Sequence, residues 1–157
     1  SFGTGHHETT FLMINALLNT DVNNKSVLDL GFGSGILSIL SKKLGSNEIT
    51  SIEIDQICEQ DIIYNMNLNS IDKGIEVLNK DARLLDNYDY DIILANIEKN
   101  IIMDLIPLIG VKETKVILSG ILIEQKSDIS KKLVKHGFTN INTTTKKEWV
   151  CFTADFC

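Results

Sequence analysis

Proline occurs once in the 157 residues, as Pro107, so the chain is neither collagen-like nor a proline-rich linker. Cysteine occurs three times, as Cys58, Cys151 and Cys157. An odd number without metal-type spacing excludes a disulfide framework and fits a reducing compartment such as the cytoplasm. No apolar run approaches the ~18 residues of a membrane helix, so no membrane association is expected. Basic residues are outnumbered, 15 Lys and Arg against 21 Asp and Glu, for a net charge of −6. No basic stripe is visible, and direct nucleic-acid binding is not expected. The start, Ser1-Phe2-Gly3-Thr4-Gly5, has no initiator Met and no basic segment followed by an apolar one. It reads as the middle of a motif, as in a domain cut from a longer protein, and not as a signal peptide.

What is present is ordinary globular material. Hydrophobic residues make up 43% and charged residues 23%, and the length suits one domain, 1–157. Such a chain buries roughly 70% of its unfolded surface. Short β-branched runs alternate with helical stretches, the pattern of an α/β fold with a parallel sheet. Strands are expected at 26–30, 49–54, 74–78, 91–95 and 115–119. Helical spacing covers 9–18, 36–44, 56–69, 97–108 and 121–136. The last two strands, 139–145 and 149–156, face each other across Lys146-Lys147-Glu148 as an antiparallel hairpin. Sheet logic puts a ligand beyond the carboxyl ends of the first, second and fourth strands.

Two local features carry chemistry. Val27-Leu28-Asp29-Leu30 runs into Gly31-Phe32-Gly33-Ser34-Gly35, and a helix follows. Glycines there let a ligand approach the backbone, and the helix presents free N–H groups to an anionic group. The second feature is Ser51-Ile52-Glu53-Ile54-Asp55. Glu53 stands close to the ~20-residue spacing at which an acid accepts ribose hydroxyls, with Ile54 beside it. Asp55 competes for that role but suits the N-cap of the next helix better. The third glycine of a dinucleotide fingerprint is out of register here, which disfavours NAD.

Asp29-x-Gly31-x-Gly33-x-Gly35 resembles motif one of the class I S-adenosylmethionine-dependent methyltransferases. Their fold is a Rossmann-like α/β sheet, mostly parallel and seven-stranded, ending in an antiparallel hairpin with helices on both faces. Phe2-Gly3-Thr4-Gly5-His6-His7-Glu8-Thr9-Thr10 is similar to the opening stretch of the methyltransferases that modify large-subunit ribosomal protein eleven. Ala95-Asn96-Ile97, Leu118-Ser119-Gly120-Ile121-Leu122 with Gln125, and Lys147-Glu148-Trp149 resemble further segments of that family, in its order.

That resemblance implies a protein methyltransferase whose cofactor is S-adenosylmethionine and whose substrate is a ribosomal protein of the large subunit. The acceptors would be amines, on a lysine side chain or at an N-terminus. It implies cofactor contacts at Thr10 in the opening loop, Gly31 in motif one, Glu53 at the ribose and Asn96 at the methyl-transfer end. Asp29, Gly33, Gly35 and Ile54 accompany these, and Asp81 suits the adenine amino group. Asn96 is also the expected catalytic residue, orienting the incoming amine; the competing role is capping a helix that begins near Ile97. Glu98 is the one acid in 95–99, and water suffices to take the proton.

The chain departs from the family at Phe32, where Cys is usual, and the family's N-terminal substrate-recognition domain is not represented. His6-His7-Glu8 lacks metal-ligand spacing, so no metal is expected; it reads as a loop over the cofactor. Trp149 and Phe152 read as sheet core. Two other functions stay open: a cofactor-binding scaffold without independent catalysis, and a methyltransferase for nucleic acid or a small molecule. The stacking aromatic that base-directed enzymes place after the Asn is missing here.

Overall fold

Residues 7–157 are described by a computed structural model. In chain order they form α1 (His7–Leu18), β1 (Ser26–Leu30), α2 (Ile36–Lys43), β2 (Glu48–Glu53), α3 (Ile57–Leu68), β3 (Ile75–Asn79) and β4 (Ile92–Asn96). Then come α4 (Lys99–Ile109), β5 (Thr114–Leu122), a 3-10 turn (Ile123–Gln125), α5 (Lys126–Lys135), β6 (Thr139–Lys146) and β7 (Trp149–Phe156). Among the described residues, seven strands make one sheet in the order β3-β2-β1-β4-β5-β7-β6. β7 runs antiparallel to both neighbours, and the other six strands share one direction. The expected mostly parallel sheet with a terminal hairpin is what forms.

The central strands are covered on both faces, so they run apolar without polar alternation. Side chains still alternate between the two layers. Ile93 and Ala95 join Ile102, Leu105 and Ile106 of α4 and Ile129 and Leu133 of α5 on one face. Leu94 joins Leu12, Met13 and Leu17 of α1 on the other. Each such side chain contributes about 1.5–3 kcal/mol by leaving water. The buried polar residues of these strands include Asp29, Ser51, Asn96 and Ser119. These four fall in two register pairs, Asp29 with Ser51 and Asn96 with Ser119, near the carboxyl ends of the strands.

Three local expectations are corrected. The helical spacing over 121–136 predicts one helix, yet Ile121 and Leu122 prolong β5, pairing with Val150 and Trp149. Backbone pairing across the sheet overrides a local apolar period that suits either state. The helix expected from Ile97 begins at Lys99, with Glu98 at its N-cap, so Asn96 is not a capping residue. Asp55 is not the N-cap of α3 either; Gln56 occupies that position. Asp55 Oδ1 accepts the Ile57 N–H at 3.0 Å from one residue earlier, which still satisfies a free donor of the first turn.

His7 and Glu8, expected in a loop, form the first turn of α1. Glu8 pairs with Lys147 at 3.2 Å, which fastens that turn to the β6–β7 connection. The rest of the expected loop, including His6, lies outside the described residues.

Candidate active site

The sheet order reverses between β1 and β4, since the chain builds outward to β3 on one side and to β5 on the other. A reversal leaves a crevice beyond the carboxyl ends of the flanking strands. A cavity of about 570 Å³ occupies that place. Its size suits a small-molecule site, ~300–1,000 Å³. Glu53, Ile54 and Asp81 line one end, Gly31 the middle, and Ile97, Gly120, Leu122 and Trp149 the other.

The glycine loop and Glu53 form one unit. Gly33 donates its backbone N–H to Glu53 Oε1 at 3.1 Å, and Asp55 N–H donates to Glu53 Oε2 at 3.2 Å. Asn79 Nδ2 donates to the Glu53 and Ile54 carbonyls at 2.8 and 3.0 Å, which fixes the backbone at the end of β2. Gly31 has φ 77°, and a Cβ there would sit 2.5 Å from Ile97 Cγ2. Only glycine keeps both that turn and the floor of the cleft. Gly120 has φ 85° and serves the same end: a Cβ would strike the Ile97 backbone carbonyl.

Not every expected contact lies on the cavity. Asp29 is fully buried behind the glycine loop and accepts from Ser38 Oγ at 2.6 Å. Ser38 Oγ also meets Ser51 Oγ at 2.7 Å, closing a polar cluster across β1, α2 and β2. Burial pushes the Asp29 carboxyl up to about 6; the Ser38 hydrogen bond opposes the shift and the charge on Glu53 adds to it. Asp29 therefore supports the loop from beneath and does not line the cavity. Gly35 is likewise a packing position, since a Cβ would run into the Ile62 side chain of α3. Phe32 packs with Ile39, Cys58, Ile62 and Met66, away from the cavity, so its bulk is absorbed by the core. Thr10 is half-buried in the first turn of α1 and is not a lining residue among those described.

Asp81 does line the cavity, but its carboxylate is engaged. Oδ1 accepts the Arg83 backbone N–H at 2.9 Å and Arg83 Nε at 3.0 Å; Oδ2 accepts Arg83 Nη2 at 3.0 Å. Arg83 Nη1 reaches on to Asp104 of α4 at 3.0 Å. The Arg83 guanidinium holds the Asp81 carboxyl below its usual range. A carboxylate has roughly four acceptor directions, so one remains for a ligand donor.

Asn96 ends β4 with 9% of its surface exposed; it is not itself a lining residue of the cavity, though its neighbour Ile97 is. Among the described residues, its Oδ1 is the one buried side-chain polar atom without a hydrogen-bond partner. An unmet acceptor costs about 1–3 kcal/mol. The adjacent Ile97 N–H donates to the Ser119 carbonyl at 3.1 Å, so the strand's own ladder leaves the amide out.

Sequence reasoning missed Arg83, Lys99 and Trp149 as cavity residues. Trp149 was legible only as core, and it does pack against the α1-side core while bordering the cavity. Lys99 is bound to Asp128 at 2.6 Å. The one available signal was position: each follows or faces the carboxyl end of a strand. Phe152 is core, as its spacing suggests.

This sheet order, with a cleft at the reversal, is the fold of the Rossmann-like methyltransferases. A T. thermophilus 16S rRNA methyltransferase, solved in complex with AdoMet and guanosine, superposes with a TM-score of 0.78 at 18% identity, over 99% of this chain and 45% of that one. That likeness concerns the fold alone. A ribosomal protein L11 methylase from Lactobacillus delbrueckii subsp. bulgaricus superposes with a TM-score of 0.86 at 31% identity, over 96% of this chain and 79% of that one.

The family model described as ribosomal protein L11 methyltransferase (PrmA) matches residues 1–156, and the chain belongs to that family. The Bacteroides fragilis ribosomal protein L11 methyltransferase is 36% identical over 153 residues, which cover 95% of this chain and 54% of that protein. The chain thus spans about half the length of such a relative. No helix among the described residues is long and apolar enough to cross a membrane.

Proposed function

We propose that the chain is the catalytic domain of an S-adenosylmethionine-dependent protein N-methyltransferase. Its acceptors are amines, on a lysine side chain or an N-terminus, of ribosomal protein L11 of the large subunit, and it works in the cytoplasm. The observation that carries this reading is the buried, unpartnered Oδ1 of Asn96 at the carboxyl end of β4. An amine N–H is the donor it lacks.

The cleft suits the cofactor. Glu53 carries a carboxylate at the ribose position, held in place by Gly33 and Asp55. Gly31 lets Ile97 close the floor of the cleft, because a Cβ there would sit 2.5 Å from Ile97 Cγ2. Asp81 keeps an acceptor direction for an amino group. When bound, S-adenosylmethionine supplies an electrophilic sulfonium methyl and leaves as a neutral thioether.

The residues of the chain contribute alignment. Asn96 Oδ1 accepts one amine hydrogen, so the nitrogen lone pair is aimed along a fixed line. Apolar surroundings, Ile97 and Leu122 among them, favour the neutral amine over the ammonium. Fixing the two reactants in line is worth on the order of 7–11 kcal/mol. Glu98 is exposed at the N-cap of α4 and is not needed as a base, because water takes the proton.

Calorimetry with S-adenosylmethionine and with NAD tests the cofactor. S-adenosylmethionine is expected to bind and NAD to bind more weakly or not at all; the reverse order overturns the reading. Transfer of a labelled methyl to ribosomal protein L11 tests the substrate.

A further inference from the structure

Asp29 is a carboxyl sealed in the interior, and among the described residues no cation is bonded to it. Its hydrogen bonding runs through hydroxyls, from Ser38 Oγ at 2.6 Å on to Ser51 Oγ at 2.7 Å. The charged group that acts on it is Glu53, whose like charge opposes ionisation. The elements packed around it supply no compensating charge. α2 presents Ser38, and its lysines, Lys42 and Lys43, lie in its last turn. β4 presents Leu94 in register, and α1, on the face that Leu94 shares, buries Thr9, Leu12, Met13 and Leu17. A buried carboxylate is costly until a positive charge comes near.

The hydroxyl chain serves both protonation states. With the carboxylate ionised, Ser51 donates to Ser38 and Ser38 donates to Asp29. With the carboxyl protonated, Asp29 donates to Ser38 and Ser38 donates to Ser51. Each hydroxyl has one rotatable proton, so the chain reverses without moving a heavy atom and keeps both bonds. Position ties the chain to the cleft. Asp29 stands two residues before Gly31, roughly 7 Å along a strand, and Gly31 lines the cavity. Glu53, bonded to the same loop through Gly33, lines it too. A charge in the cavity therefore acts on Asp29 through protein, where it is weakly screened.

We infer that Asp29 is the residue that distinguishes the charged cofactor from its neutral product: it is the counter-charge to the sulfonium, held ionised while S-adenosylmethionine is bound and protonated more readily once the thioether is left. The inference rests on the S-adenosylmethionine reading above. S-adenosylmethionine and its product, S-adenosylhomocysteine, share adenine, ribose and amino-acid parts and differ by a methyl group and a positive charge. An opposite charge favours the ionised carboxyl. The proton leaves to solvent on binding and returns from solvent after transfer, so no further reactant is needed. Burial holds the free carboxyl at about 6, where a nearby charge changes its occupancy most visibly in mildly acidic solution. Asp29 does not touch the ligand; it sets specificity through the floor of the cleft.

The test is calorimetry with S-adenosylmethionine and with S-adenosylhomocysteine, from pH 5 to pH 7.5, in buffers of different ionisation enthalpy. The buffer dependence counts the protons exchanged on binding. Near pH 6 the wild type should release about 0.3 proton more with S-adenosylmethionine than with S-adenosylhomocysteine. Its preference for S-adenosylmethionine over S-adenosylhomocysteine should fall about threefold or more from pH 7.5 to pH 5. Asp29→Asn should abolish both differences, and a merely structural role for Asp29 would not move a proton count. Ser38→Ala removes a bond that favours the carboxylate, so it should displace the pH dependence to higher pH. The comparison of the two ligands on the wild type stands even if neither variant folds. Equal proton release with both ligands overturns the inference, and so does a difference that persists in Asp29→Asn. A wild type that binds neither ligand overturns the underlying reading instead.

Discussion

Gly33 and Glu53 are joined by a 3.1 Å hydrogen bond from backbone N–H to carboxylate across 20 residues of sequence. The bond makes the glycine loop and the acid at the end of β2 a single binding element. Replacing Glu53 with Ala removes the acceptor that a ribose hydroxyl would use and also frees the Gly33 N–H. Cofactor binding is expected to weaken by ~1–3 kcal/mol, the range for hydrogen bonds to a charged group. Asp55→Ala removes the bond to Ile57 N–H and should cost about 1 kcal/mol of stability, with cofactor affinity nearly unchanged. Calorimetry and urea melts of both variants decide. Normal binding by Glu53→Ala together with impaired binding by Asp55→Ala would reverse the two assignments.

Asn96 invites a sharper test, because its rival role as a helix cap has gone. α4 starts two residues beyond Ile97, and Glu98 stands at its N-cap. Removing an oxygen that has no partner sacrifices no hydrogen bond in the folded protein. Asn96→Ala is therefore expected to leave the melting temperature close to that of the wild type. Turnover should fall on the order of 10²-fold, the scale of losing reactant alignment. Near-normal turnover at saturating cofactor and acceptor would remove Asn96 from catalysis.

The sheet was legible because buried parallel strands need unbroken apolar runs, and Val27-Leu28 and Ile92-Ile93-Leu94 supply them. The hairpin was legible from two β-rich segments around Lys146-Lys147-Glu148. Ile121-Leu122-Ile123 was not, since three successive apolar residues suit a helix or a strand, and pairing with Val150 and Trp149 settles the matter from afar. The same distance hid Trp149 as a cavity residue: it reaches the cleft only because β5 overruns β4. Asp29 was recognisable as part of the glycine motif. Its direction depends on Ser38 and Ser51, which come from two other elements.

Asp29 gives the fold a pH dependence of definite sign. Burial raises its carboxyl to about 6 in the folded chain, against 3.8 for an ordinary aspartate. Between those values the folded state holds a proton that the unfolded state has released. Stability from this group is therefore greatest below about pH 4, declines as pH rises towards 6, and is level above that. The gap corresponds to about 3 kcal/mol. Asp29→Asn removes the titration, and the amide oxygen can still accept the Ser38 hydroxyl that lies 2.6 Å from Oδ2. Relative to the wild type, the variant should gain up to about 3 kcal/mol between pH 4 and pH 8. Ser38→Ala should act in the opposite sense. It deletes a bond that favours the charged carboxylate, so the decline with pH becomes steeper and extends to higher pH. Urea unfolding of the three proteins across that range measures both effects. Parallel stability curves for wild type and Asp29→Asn would mean that Asp29 ionises in the folded chain as it does in water.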